Sequence, residues 1–218
     1  IATAVMWGRS LYRNIQRFVL FQLTINFAAI TICFIGAVFG TEMPLTVVQI
    51  LWVNIIMDTF AAMAMASLPP NPEVMRDKPR RRDEFIITPG MARTLFTCGI
   101  VMVVVLLGML FRWTITQGGL TIGQLTVFFS TFVFLQFWNM FNAKGFETRH
   151  SVFTCLGGCR EFFLILAAIG VGQVLIVEFG GEVFRTEPLS WTQWAEVIGF
   201  TSLLAIGGEI VRAIRRKR

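Results

Sequence analysis

Charge is scarce in this sequence: Asp, Glu, Lys and Arg make up 15% of 218 residues, against roughly 25% in an ordinary soluble domain. No polar-rich stretch is long enough to fold as a soluble domain. Tyrosine occurs once, histidine once and cysteine four times. Cys33 and Cys98 lie within apolar runs, while Cys155 and Cys159 share a polar loop. The Cys155–Cys159 spacing raises a metal or redox pair, but no further Cys or His ligand stands near to complete one. What the chain does have is apolar: 55% of it is hydrophobic, including 22 Phe. This is the composition of an integral membrane protein.

The apolar residues arrive in six blocks, at about 18–39, 45–68, 94–116, 123–142, 162–180 and 191–212. Each is close to the ~20 residues that a helix rising ~1.5 Å per residue needs to cross ~30 Å of hydrocarbon. The expected fold is all-α, a polytopic transmembrane helix bundle of six spans forming one membrane domain over residues 1–218. Lys and Arg favour the cytoplasmic side. If the chain enters from the cytoplasm, the leading segment (Arg9, Arg13, Arg17), the loops 67–93 and 143–161 and the tail from Arg212 hold 17 of the 19 basic residues. Arg112 and Arg185 fall outside, and both termini are cytoplasmic. The tail "VRAIRRKR" fits an anchor to anionic headgroups, although topology alone accounts for these clusters equally well.

The N-terminus, "IATAVMWGRSLYRNIQRF", is neither basic-first nor followed by a small-residue cleavage site, so it is not read as a signal peptide. It begins as if cut from something longer. Arg9, Arg13 and Arg17 recur at four-residue spacing, as on a helix continuing from the cytoplasm into the first span.

Polar residues inside the spans are few: Asn26 in the first, Asn54 and Asp58 in the second, and Gln136, Asn139 and Asn142 in the fourth. Amides hydrogen-bond across membrane helices for about 0.6–2 kcal/mol each, and packing is the heavier reading for Gln136, Asn139 and Asn142. Asp58 differs, because an ionisable group at bilayer depth costs roughly 2.5 kcal/mol or more. No Lys or Arg lies at that depth to pair with it.

The loop "GTEMP" is short enough to make the first two spans an antiparallel hairpin. Asn26 then lies about 12 Å and Asp58 about 15 Å from the cytoplasmic ends of their spans, at nearly the same depth. Asn54 precedes Asp58 by four residues, which in an α-helix stacks them on one face. Two amide oxygens and a carboxylate, without sulfur or imidazole, suit a hard cation such as Ca2+ but fall short of its roughly six to eight oxygens. Mn2+ also accepts oxygen ligands. The small residues of "MDTFAAMAMAS" and the following Pro69-Pro70 are features of a broken helix, whose unwound carbonyls would add ligands. Close packing explains the alanines equally well.

The stretches "VMWGRSLYRNIQRFVLFQLTINFAA", "PLTVVQILWVNIIMDTFAAMAMASLPPNPEVMRDKPRRRDEFIIT" and "FVFLQFWNMFNAKGF" resemble the last six membrane helices of P-type calcium-transporting ATPases of the plasma-membrane type. The resemblance is strongest from Val5 to Thr88 and most specific at "WVNIIMDT". It implies that Asn26, Asn54 and Asp58 are Ca2+ ligands. Ala29, Met57 and Gln136 stand where the two-site pumps of the sarcoplasmic-reticulum type carry a glutamate, a threonine and another glutamate. The resemblance thus implies a single site, with Gln136 at most an outer neighbour of it.

By the same resemblance, the chain is the ion-translocating C-terminal membrane portion of a multi-pass cell-membrane enzyme that exports Ca2+ from the cytoplasm. The "DKTGT" phosphorylation motif is absent, as is a Gly-rich P-loop. ATP and Mg2+ would therefore be bound by cytoplasmic domains outside this chain, which should be inactive alone. Its expected partners are Ca2+, the lipid bilayer and the N-terminal helices and cytoplasmic domains of the same pump. One of those helices would add a glutamate and main-chain carbonyls to the site. No nucleic-acid partner is expected. A Na+/K+ or H+ pump is the nearest rival reading. A six-helix channel or secondary transporter is another, although the two halves show no internal repeat of the kind many transporters carry.

Overall fold

Phe21, Ile25, Ala28 and Ile32 recur at three- and four-residue intervals and are fully buried, giving the first helix, α1 (Ala2–Val38), one face against the rest of the chain. In the computed structural model the described residues are 1–40, 44–70, 72–76, 85–117, 119–148, 152 and 159–217. They form helices joined by loops, with no strand among them. At ~1.5 Å per residue, the 37 residues of α1 run for about 55 Å, far beyond ~30 Å of hydrocarbon. The run through "GRSLYRNIQ" into the first apolar block is one continuous helix, as its arginine spacing indicates. Gly40, at φ 67°, ends it in the left-handed region that glycine adopts without a Cβ penalty.

The second apolar block forms α2 (Val47–Leu51), a π-helical segment (Trp52–Met57) and α3 (Asp58–Ala66), followed by a 3-10 turn at Pro72–Arg76. Then come α4 (Pro89–Gln117), α5 (Ile122–Lys144), α6 (Arg160–Phe179), the short α7 (Gly181–Phe184) and α8 (Trp191–Lys217). Each of the six apolar blocks is thus helical. Three α1 side chains hold the segment that follows α3. Asn14 Nδ2 donates to Leu68 O at 3.2 Å, Arg9 Nη1 to Val74 O at 3.1 Å and Gln16 Nε2 to Ile86 O at 2.8 Å.

Among the described residues, five stretches are long and apolar enough to cross a membrane: Ala2–Val38, Val47–Ala66, Pro89–Thr116, Arg160–Phe179 and Trp191–Ile214. α5 is comparably long but more polar, and it sits at the centre, packed against α1, α4, α6 and α8. Enclosure by protein removes the need to present an apolar surface to lipid. Thr126, Ser130, Thr131, Gln136, Asn139 and Asn142 of α5 are accordingly buried among Phe128, Phe129 and Phe132. The α5–α8 contact is close at Gly208, where a Cβ would overlap the Asn142 side chain. It is also hydrogen-bonded, from Trp138 Nε1 to Thr201 Oγ1 at 3.1 Å and from Asn142 Nδ2 to Leu204 O at 3.1 Å. Of the Cys155–Cys159 pair, Cys159 is buried, while Cys155 lies outside the described residues. So do residues 41–43 of the first loop, and Arg149 and most basic residues of the loop 67–93.

Candidate ion site

A capping box opens the second span. Thr46 Oγ1 accepts from Gln49 N, and Gln49 Oε1 accepts from Thr46 N at 2.9 Å. Gln49 also donates through Nε2 to Phe184 O at 2.8 Å, which fixes this end of the span to α7. One turn on, Trp52 Nε1 donates to Gln173 Oε1 of α6 at 3.2 Å. The helix then widens rather than breaks. From Trp52 to Met57 it is π-helical, and the Asp58 N–H reaches back to Val53 O. Such i→i+5 segments inside α-helices are rare and occur frequently at functional sites. The expected unwound segment is therefore a continuous helix with one wide stretch, ending where Asp58 begins.

That geometry separates the two polar residues. Stacking at i, i+4 assumes α-helical winding, whereas Asn54 and Asp58 straddle the end of a π segment. Asn54, Ile55 and Ile56 are exposed, facing away from the rest of the chain. Asp58 turns inward and is 7% exposed, between Met57 and the fully buried Ala61. The expectation that Asn54 and Asp58 share a face does not hold.

Asp58 meets α1 at a residue that the spacing argument passed over. Gln22 Nε2 donates to Asp58 Oδ2 at 3.3 Å, while Asp58 Oδ1 is buried with no hydrogen-bond partner among the described residues. The Asn14–Leu68 and Gln22–Asp58 bonds together define an antiparallel register between α1 and α3. Extended by one turn, that register brings Asn26 level with Asn54, about 6 Å along α1 from Gln22. Asn26 is thus one turn removed from Asp58, half-buried, and without a hydrogen bond among the described residues. Gln136 lies elsewhere. It is fully buried, its Nε2 donates to Met102 Sδ of α4 at 3.6 Å, and its Oε1 is unpartnered.

Magnitudes say what this arrangement lacks. Placing a carboxylate at bilayer depth costs roughly 2.5 kcal/mol or more, and one hydrogen bond to a charged group returns about 1.5–3 kcal/mol. Gln22 therefore offsets the cost at Oδ2 and leaves Oδ1 uncompensated. No basic side chain forms a salt bridge with Asp58 among the described residues. Nor do three His, Cys, Asp or Glu groups gather anywhere among them. The atom left open is a carboxylate oxygen, a ligand type that hard cations accept.

Gln22 carries a signal that could have been read: it is an amide four residues before Asn26, inside the same apolar run. Gln173 and Trp52 carry none, since 121 positions separate them.

Residues 42–214 match the family model described as "Cation transporting ATPase, C-terminus". The chain is 41% identical over 209 residues to the plasma membrane-type calcium-transporting ATPase 12 of Arabidopsis thaliana, covering 93% of this chain and 20% of that protein. It is 35% identical over 231 residues to the plasma membrane calcium-transporting ATPase mca-1 of Caenorhabditis elegans, covering 100% of this chain and 18% of that protein. To the plasma membrane-type calcium-transporting ATPase 7 of Oryza sativa subsp. japonica it is 40% identical over 203 residues, covering 93% and 20%. The chain spans about a fifth of the length of these curated relatives. The match over residues 42–214, on a helical membrane bundle, establishes that the chain belongs to the cation-transporting ATPase C-terminal family.

Proposed function

We propose that this chain is the ion-translocating membrane domain of an ATP-driven calcium pump of the cell membrane, and that it exports Ca2+ through a single site built on Asp58, Asn54 and Asn26. The observation that carries this reading is Asp58 itself, a buried carboxylate with one oxygen held by Gln22 and the other unpartnered. A divalent cation is the partner that such an oxygen lacks. The names of the plasma-membrane-type relatives make Ca2+ the first candidate.

Asn54 faces outward from the bundle beside Ile55 and Ile56. That face is where the N-terminal helices of the same pump would close the site and add the missing oxygens. Phosphorylation from Mg2+-ATP in cytoplasmic domains would alternate access to the site, with α1 as the rod between them. Six spans with both termini cytoplasmic fit this reading, α5 being the span enclosed by protein.

The test is Asp58→Asn in the intact pump carrying this chain. Ca2+-dependent phosphoenzyme formation from ATP should be abolished while the protein still accumulates in the membrane. Near-normal Ca2+ dependence in that variant would refute the site.

A further inference from the structure

The two oxygens of Asp58 are chemically alike and differently occupied. Oδ2 accepts the Gln22 amide N–H at 3.3 Å, and Oδ1 is buried without a partner. Gln22 is carried on α1 beside Phe21, which is fully buried, and one turn from Ile25, also fully buried. Its donor therefore sits on a helix fixed by packing. An amide nitrogen offers hydrogens and no lone pair to a cation. A cation arriving at Asp58 thus finds Oδ1 open and Oδ2 with one of its two lone-pair sites taken by the Gln22 N–H.

We propose that Gln22 is a positioning residue that restricts Asp58 to one-oxygen coordination, and that it thereby sets the preference of the site between Ca2+ and a smaller divalent ion such as Mn2+. The inference rests on the ion site proposed above. Ca2+ fills a large shell of roughly six to eight oxygens, partly by accepting both oxygens of one carboxylate. Smaller oxygen-seeking divalents favour octahedral shells that a one-oxygen carboxylate satisfies. Holding Oδ2 denies the larger ion a device that the smaller one does not need. Gln22 thus narrows the advantage of Ca2+ over Mn2+. Hydrogen-bonded partners of ligating carboxylates tune metal sites in this way elsewhere.

The experiment measures phosphoenzyme formation from ATP in the intact pump as a function of free Ca2+ and, separately, of free Mn2+. Its readout is the ratio of the half-saturating concentrations, Mn2+ over Ca2+. Gln22→Met keeps the length of the side chain and removes the N–H, and Gln22→Leu removes it at smaller length. Both should raise the ratio by about tenfold, the lower end of what removing an outer partner does to metal affinity. A merely structural role would shift both concentrations together, and an unchanged ratio overturns the inference.

If neither variant accumulates, infrared difference spectra of the unsubstituted pump on adding Ca2+, with those of Asp58→Asn subtracted, decide the matter. A wide separation of the antisymmetric and symmetric carboxylate stretches supports one-oxygen coordination, and a narrow separation overturns it. Asp58→Asn also separates the two levels of failure. Normal Ca2+ dependence in Asp58→Asn removes the site and this inference together, whereas an inactive Asp58→Asn with an unchanged ratio in the Gln22 variants removes the role of Gln22 alone.

Discussion

α5 and the stretch from α2 to α3 both carry amides within apolar runs, and they differ in what faces those amides. α5 is covered by α1, α4, α6 and α8. Its Asn142 donates to Leu204 O and accepts from Arg212 Nη1 and Nη2 at 3.5 and 3.4 Å. Arg212 in turn donates to Glu209 Oε1, and Glu209 Oε1 accepts from Val152 N. Polar groups around Asn142 are matched within the chain and hold the C-terminal ends of α5 and α8 together, whereas Gln136 Oε1 and Ser130 Oγ elsewhere in α5 have no partner among the described residues. In the other stretch Asn54 faces outward and Asp58 Oδ1 has no partner among the described residues. Leftover hydrogen-bonding capacity thus occurs in both regions, and what sets Asp58 apart is that its open atom belongs to an ionisable group.

The sharpest way to break that contrast is to truncate an amide in each region. Asn54→Ala should raise the Ca2+ concentration for half-maximal phosphorylation by about tenfold or more, equal to about 1.4 kcal/mol, with thermal stability in detergent unchanged. Asn142→Ala should do the reverse, lowering stability by about 1–3 kcal/mol because Leu204 O and Arg212 each lose a hydrogen bond, with unaltered Ca2+ dependence of the folded fraction. An equal effect of both substitutions on Ca2+ affinity would erase the distinction.

Gly208→Val comes next, because a Cβ there would overlap Asn142. Overpacking of this kind costs about 1–3 kcal/mol. The loss should appear as a lower midpoint of thermal unfolding, with the Ca2+ concentration for half-activation unmoved.

The smallest effect concerns the π segment. Gln173→Leu removes the acceptor of Trp52 Nε1, and interhelical hydrogen bonds of this kind average about 0.6 kcal/mol. Stability should fall by that order, and Ca2+ affinity should fall with it, because Trp52 opens the wide turn that leads to Asp58. A change in stability with no change in affinity would show that α6 only packs against the segment.

The helices were legible because bilayer thickness imposes a length on apolar runs, and each of the six blocks contains one. α5 was legible from its length although it carries Gln124, Gln136, Asn139 and Asn142, amides that its enclosure by protein accommodates. The π segment was not legible. "LWVNIIMDT" has no signal for i→i+5 bonding, and its neighbouring alanines and Pro69-Pro70 pointed instead to a break. The choice of Asp58 rested on a cost that any embedded carboxylate carries, and the structure puts that carboxylate in a buried, half-satisfied setting. The depth of Asn26 was reckoned from the ends of apolar blocks, which define a register only to within about a turn. The Asn14–Leu68 and Gln22–Asp58 bonds set it one turn away.

The central claim is one ion held at Asp58. The most direct measurement is the number of Ca2+ ions occluded per phosphoenzyme in the intact pump, with radioactive calcium and phosphate counted in the same sample. The account predicts one ion per phosphoenzyme, and none in Asp58→Asn trapped by phosphorylation from inorganic phosphate. Two ions per phosphoenzyme, or one retained in Asp58→Asn, would contradict it.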